Sequence, residues 1–334
     1  MENKKVFIDK FKCEYTKDVI KLWNECCNEN FIYKPMDLRT FRQIFIDSPY
    51  FSLDSTFVCI CDKQIIGFIN GVNRKEFLLD KIDDLKTGYI TMIIVKENFR
   101  RMSYGKALVN NLENYFIGQG KKFIRIDFFN PINIPWYIPN SSIHDHPNAP
   151  GVDVNGDGYK FFKSIGYRER TKEVSMYRVL RNFKINEKIK MKQERLKNKN
   201  IFIEAYNSDK HSGLDELFDS LGNELWRREI KEHLKKENST PILVAIDGNS
   251  VCGFAGPIDI ERSGRGRFSG IGVKKDYMGN GIGKVLFFNL CENFKNEGAK
   301  FMSLFTSING NAKYIYDYAG FTEVRQWALF EKEV

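Results

Sequence analysis

The chain has 334 residues, 42% of them apolar and 28% charged. That length exceeds one ordinary hydrophobic core, so two domains are expected, and the composition excludes a wholly disordered chain. The net charge of +9 raises the question of a nucleic-acid partner, but much of the excess sits in one Lys-rich stretch, residues 184–199. That stretch reads as a solvated helix or linker, and no nucleic-acid partner is expected.

The opening, MENKKVFIDKFKCEYTKD, is too polar for the apolar centre of a secretory signal. No apolar run reaches the roughly eighteen residues of a membrane span, so a cytoplasmic chain with no membrane partner is expected. The seven cysteines, odd in number and unevenly spread, form no paired C-x-x-C knuckles. Reduced thiols are expected, with no structural zinc. Cys59 and Cys61 alternate within a strand-like stretch and so share one face.

In chain order, residues 61–72 (CDKQIIGFINGV) read as a strand, a polar turn and a second strand. Residues 88–129 follow as a long strand, a turn, an amphipathic helix marked by Ala107, Leu108, Leu112 and Phe116, and another strand. Gly120 stands where a helix C-cap glycine belongs. Residues 130–158 insert five of the chain's nine prolines and two of its four histidines, a stiffened loop suited to a lid or a substrate-facing wall. Within it, His144, Asp145 and His146 lack further clustered ligands, so no metal is expected. DVNGDG, from Asp153, resembles a calcium loop but carries Ser164 at its twelfth position, where glutamate is needed.

The second half repeats the first. Residues 247–258 match the hairpin, and residues 266–307 align without a gap to 88–129 at a constant offset of 178. Val95 thus meets Val273, Gly105 meets Gly283 and Gly120 meets Gly298. Residues 159–169 pair with 312–323 as a third block. The chain reads as a duplicated α/β domain with a mixed sheet: residues 1–183, a basic linker or helix at 184–200, then 201–334.

The chemistry concentrates in residues 270–287, GIGVKKDYMGNGIGKVLF. A strand ends near Val273, and Gly279, Gly281 and Gly283 lead into a helix marked by Val285, Leu286, Leu290 and Phe294. Such glycines let successive N–H groups converge, and the helix start adds its positive dipole end, which suits a diphosphate. A dinucleotide fold is the competing reading. The turn lies mid-domain, however, and no acidic residue follows at the ribose position.

The pattern V-x-x-x-Y-x-G-x-G-I-G-K-x-L resembles motif A of the GNAT superfamily of acyl-CoA N-acyltransferases, and NGNAKYIYDYAGF, residues 309–321, resembles its motif B. The resemblance implies two tandem GNAT-like domains, each a splayed mixed sheet with acyl-CoA entering between its central strands. It implies that Ile271, Gly272 and Val273 line the pantetheine arm, and that Gly279, Asn280, Gly281, Ile282, Gly283 and Lys284 wrap the diphosphate. Asn311 would contact the cofactor arm, and Tyr316 would serve as general acid for the leaving thiolate. Met278 departs from the family's Gln or Arg. The first half keeps Arg100 there but has Ser103 for a motif glycine and Phe162 for the tyrosine, with Tyr159 one turn earlier. The second half is therefore expected to be the catalytic one.

The expected function is acetyl transfer from acetyl-CoA to the amine of a small molecule, by a monomer or homodimer without a metal. A tandem acyl or aminoacyl transferase with a larger acceptor, or a non-catalytic acyl-CoA-binding module, are the alternatives. An attacking amine must shed a proton, and the sequence leaves that base open. Asp259 and Glu261 are the nearest carboxylates by topology, with surface solvation the expected role of each.

Overall fold

A computed structural model describes residues 5–27, 32–73, 85–141 and 143–334. It divides into two compact units: Met1–Val174 with Arg325–Val334, and Ser175–Val324.

The first unit begins with β1 (Val6–Lys10), α1 (Thr16–Cys26) and α2 (Leu38–Phe41), then β2 (Thr56–Cys61), β3 (Gln64–Asn73) and β4 (Thr87–Val95). The expected hairpin is β2 with β3, closing at Cys61 opposite Gln64. Its two turn residues, Asp62 and Lys63, both take positive φ, the geometry that matches the twist of a two-residue hairpin. Helix α3 (Tyr104–Gly118) follows β4 and buries Leu108, Leu112 and Phe116. Gly120 ends it at φ 72° while Lys121 N–H donates to the Phe116 carbonyl, closing the helix. Strand β5 (Phe123–Ile126) then runs parallel to β4, in the strand order β1-β2-β3-β4-β5. Cys59 and Cys61 both pack into the cluster beneath α3.

The insertion folds as a small hairpin, β6 (Trp136–Tyr137) with β7 (Asp145–His146), and then β8 (Val152–Asp153). Helix α4 (Asp157–Ser164) and β9 (Arg168–Val179) come next, the last five residues of β9 belonging to the second unit.

The second unit opens with α5 (Glu187–Lys197), then β10 (Ile201–Ala205), α6 (Leu214–Leu221), α7 (Glu224–Leu234), β11 (Leu243–Asp247) and β12 (Ser250–Ala255). Helix α5 is the Lys-rich stretch. It departs from a free linker because Ile189 and Leu196 are buried and Asn289 hydrogen-bonds Gln193 at 3.2 Å, tying it to the helix after the glycine turn. The short strands β13 (Asp259–Ile260), β14 (Arg265–Arg267) and β15 (Ile271–Val273) lead to α8 (Ile282–Asn296), β16 (Phe301–Ser307) and α9 (Lys313–Tyr318). Strands β10-β11-β12-β15 form one sheet, while β14 pairs with β13 and, in parallel, with β16.

The last strand, β17 (Thr322–Glu333), gives its final residues to the first unit, where Phe330–Glu333 pair with β5 and Trp327 and Ala328 pair with β8. Trp327, Ala328, Leu329 and Phe330 are all buried. The insertion grips this strand: Trp136 meets Trp327 edge-on at 5.2 Å, and Asp153 pairs with Arg325. Lys332 donates to both Glu113 carboxylate oxygens at 2.9 Å, beside a Tyr167 hydroxyl bond to the same group.

Candidate active site

In the second unit the central strand is broken at Phe268, Ser269 and Gly270. Before the break, β14 pairs with β16 at Arg265 and Gly266; after it, β15 pairs with β12 at Ile271, Gly272 and Val273. The strand therefore changes partner, and β15 is the edge of its sheet. Ile271, Gly272 and Val273 keep backbone groups on the side away from β12 open to an extended ligand.

A short 3-10 turn, Lys275–Tyr277, carries the chain to Gly279 at φ 81° and Gly281 at φ 84°, both left-handed. That reversal points α8 back at the strand end, and its first-turn amides at Ile282, Gly283 and Lys284 lack intrahelical acceptors. Nothing lies within 4 Å of a Cβ placed on Gly279. Asn280 is exposed and accepts from Lys199 at 3.1 Å. Gly283 packs near Val273 and Ile315, which fixes the helix against the strand. Ile282 offers only its backbone, since its side chain is buried. Lys284 turns away, its ammonium 4.9 Å above the Tyr318 ring. Asn311 is exposed just before α9, and Met278 is also exposed.

Tyr316, on α9, is 3% exposed and stands among Phe268, Phe287 and Phe321. Phe268 belongs to the strand break, so α9 brings the tyrosine ring to the point where the sheet parts. Among the described residues its hydroxyl has no hydrogen-bond partner. Burial raises its pKa well above the ordinary value, so the phenol stays protonated at neutral pH.

Asp259 and Glu261 are committed elsewhere. Asp259 accepts from the Thr240 hydroxyl and faces His233 at 3.8 Å, and Glu261 holds the buried Arg265 guanidinium at 2.8 Å. The sequence reading passed over Glu229. On α7, Trp226 lies against Gly270 of the strand break, and Glu229 follows three residues later on the same helical face. Glu229 is an exposed residue whose carboxyl is nonetheless raised above the usual range by desolvation, with Arg267 and Arg228 opposing. Helical spacing from Trp226 was the available signal, but only the fold says that this face meets the break.

The first unit repeats the frame. Strand β4 pairs with β3 up to Val95 but with β5 only at Thr87, Gly88 and Tyr89, so the central strands part there too. Arg101 and Ser103, which align with Gly279 and Gly281, take φ of 61° and 66°, the same left-handed turn without glycine. Arg100 is held by the Val95 carbonyl at 3.0 Å and by Asp157. Phe162 is buried, and the Tyr159 hydroxyl donates to Glu169 at 2.6 Å, a packing position. A shallow depression of about 370 Å³ between Tyr50 and Ile132 includes none of these residues.

In the insertion, Asp145 pairs with Lys34, and His146 is buried with its ring nitrogen bonded to the Asn148 backbone. Among the described residues no group of three or more His, Cys, Asp or Glu is placed to hold a metal, and no helix is long and apolar enough to cross a membrane.

A model of the acetyltransferase (GNAT) family matches residues 16–137, and a model of an acetyltransferase (GNAT) domain matches residues 202–332. No curated protein sequence matches the chain. Among solved structures, the chain is similar to a GCN5-related glucosamine N-acetyltransferase region of a fungal multi-domain GH3 beta-N-acetylglucosaminidase. That match has 15% identity and a TM-score of 0.66, and covers 99% of this chain but only 38% of that one. A GCN5-related N-acetyltransferase from Sphaerobacter thermophilus matches at 15% identity and TM-score 0.63, covering 98% and 95% of the two chains. A tandem GNAT protein from the clavulanic acid biosynthesis pathway matches at 10% identity and TM-score 0.57, covering 98% of each. At these identities the likeness is one of fold.

Proposed function

The chain is a tandem two-domain member of the GNAT acetyltransferase family, and from that premise we propose that it transfers an acetyl group from acetyl-CoA to the amine of a small molecule, using the second half as its catalytic site. The observation that carries this reading is Tyr316, its ring buried at the strand break and its hydroxyl without a hydrogen-bond partner among the described residues.

The residues present fit the donor. The open space at Gly279 leaves room for a diphosphate, and the left-handed Gly281 turns the chain into α8 so that its first amides face that space. The free edge of Ile271, Gly272 and Val273 suits the amide-bearing pantetheine arm. When bound, acyl-CoA supplies an activated thioester. The chain's own residues then do four things. The β15 edge orients the arm, the aromatic wall of Phe268, Phe287 and Phe321 excludes water, and Tyr316 holds a proton for the departing thiolate sulfur. Glu229, on the helix face that carries Trp226 to the break, accepts the proton that the attacking amine loses. Attack forms the new C–N bond and breaks the C–S bond, and the two protons are accounted for at Glu229 and Tyr316. We place the reaction in the cytoplasm, with the protein as monomer or homodimer.

Calorimetric titration of acetyl-CoA tests the site. The wild type binds, Gly281→Asp with Gly283→Asp abolishes binding, and Gly105→Asp in the first half leaves it. Loss in Gly105→Asp alone would move the donor site to the first unit, and a wild type that does not bind would end the reading.

A further inference from the structure

Lys192 of α5 and Lys199, two residues past the end of that helix, approach the glycine turn, and the proposed donor site does not yet account for them. A Cβ built on Gly281 would stand 2.7 Å from the Lys192 ammonium nitrogen, so that side chain lies across the turn itself. Lys199 reaches the next residue and donates to the Asn280 side chain at 3.1 Å. Lys192 lies within α5, and Lys199 stands in the turn that follows it, where its N–H donates to the Leu196 carbonyl at 2.9 Å.

Their neighbours on α5 behave differently. Lys190 is paired with Glu187 and Lys197 with Glu194, each at 2.8 Å. Among the described residues, Lys192 has neither a hydrogen bond nor an ion pair, and Lys199 has only a neutral amide. Two cations without carboxylate partners thus sit at a turn whose own amides are also donors. The helix that bears Lys192 and leads into Lys199 is fixed: Asn186 caps its start by accepting from Ile189 N–H at 3.0 Å, Ile189 and Leu196 are buried, and Gln193 is bonded to Asn289 of α8. Lysines held this way are preorganised, which reduces the side-chain entropy lost on binding an anion.

The turn also lacks a polar side chain expected of it. Met278 stands where the family places Gln or Arg, and Lys284 is turned onto Tyr318. We propose that α5 and the turn after it supply positive charge here, with Lys192 and Lys199 clamping the diphosphate of the acyl-CoA donor against the Gly279–Gly281 turn. This rests on the donor reading above and assigns the basic helix between the sequence repeats to cofactor recognition.

The experiment is calorimetric titration of acetyl-CoA and of acetyl-dephospho-CoA, which lacks the 3′-phosphate. The proteins are wild type, Lys192→Ala with Lys199→Ala, Lys192→Arg with Lys199→Arg, and Lys190→Ala with Lys197→Ala, each checked for fold by circular dichroism. The first double variant should bind both donors about ten- to a hundredfold more weakly, as for loss of charge-assisted phosphate contacts. It should also lose part of the salt dependence seen in the wild type. The arginine variant should retain most of the affinity. The Lys190 and Lys197 variant, which removes the same charge from paired positions, should stay within about twofold. Unchanged affinity in Lys192→Ala with Lys199→Ala overturns the clamp while leaving the donor reading intact. An equal loss in the Lys190 and Lys197 variant overturns it too, as would a loss confined to the donor carrying the 3′-phosphate. A wild type that binds neither donor removes the donor reading and the clamp together.

Discussion

Tyr316→Phe separates a catalytic proton donor from a core aromatic. The ring is 3% exposed and touches Phe268, Phe287 and Phe321, so phenylalanine keeps its packing. Only the hydroxyl goes, and among the described residues that hydroxyl has no partner. That hydroxyl is not among the buried polar atoms left without a partner, so removing it should leave stability within about 0.5 kcal/mol. Tm should accordingly stay within roughly 2 °C of the wild type in a unit of this size. Its kcat should fall by about 10²–10⁴, the usual contribution of a placed acid. The donor Kd should barely move, because the diphosphate and the arm bind elsewhere. Steady-state kinetics, donor calorimetry and thermal melts on the same preparations give all three numbers. The reasoning is refuted if kcat is unchanged. It is equally refuted if Tm drops with kcat, since the hydroxyl would then be a structural partner.

Glu229→Gln should lower kcat and remove the acid limb of the rate profile. As a base Glu229 works ionised, and its raised carboxyl makes the wild-type rate fall as pH drops through a value above the ordinary 4.5; a profile with the limb intact excludes it. Glu173 of β9 is buried without a hydrogen-bond partner among the described residues, and burial pushes its carboxyl up to about 7. Its folded-state value lies above the unfolded one, so the favourable contribution is present below about pH 4.5 and lost as pH rises through 7. Glu173→Gln should accordingly add about 3 kcal/mol at pH 8 and nothing at pH 4; urea unfolding at both values checks it, and a gain at pH 4 contradicts it. Trp327→Ala should destabilise the first unit by about 3–5 kcal/mol through the cavity left beside Trp136. Hydrogen exchange should then quicken in residues 123–126, far away in sequence; unaffected protection there would refute the shared sheet.

The duplicated frame was readable because two physical demands leave marks in sequence. Amphipathic helices α3 and α8 must bury one stripe, so Leu108, Leu112 and Phe116 recur as Leu286, Leu290 and Phe294. Tight reversals select glycine, so Gly120 and Gly298 mark both helix ends. Other features leave no such mark. Strand β17 is recognisably a strand, but periodicity says which face is apolar and not which partner edge it joins, so its place beside β5 came only from the fold. The Lys-rich stretch looked solvated because most of its residues are; two apolar side chains, Ile189 and Leu196, suffice to dock it.

The first half shows most clearly how a motif and its geometry can separate. Ser103 in place of a glycine reads as a lost phosphate turn, yet Arg101 and Ser103 hold the left-handed backbone that Gly279 and Gly281 hold in the second half. A non-glycine residue in that region costs about 1–2 kcal/mol, and this exposed turn carries two, with Met102 between them. The backbone shape has outlasted the residues that make it easy. What differs between the halves is the chemistry around the turn. In the first, Arg100 is drawn onto Val95 and Asp157, and Phe162 occupies the place of a proton donor. In the second, Lys192 and Lys199 stand unpaired by any carboxylate among the described residues, and Tyr316 keeps its proton. Backbone conformation alone therefore does not distinguish the two turns, and the proposed division of labour between them rests on cations and a hydroxyl supplied by neighbouring segments.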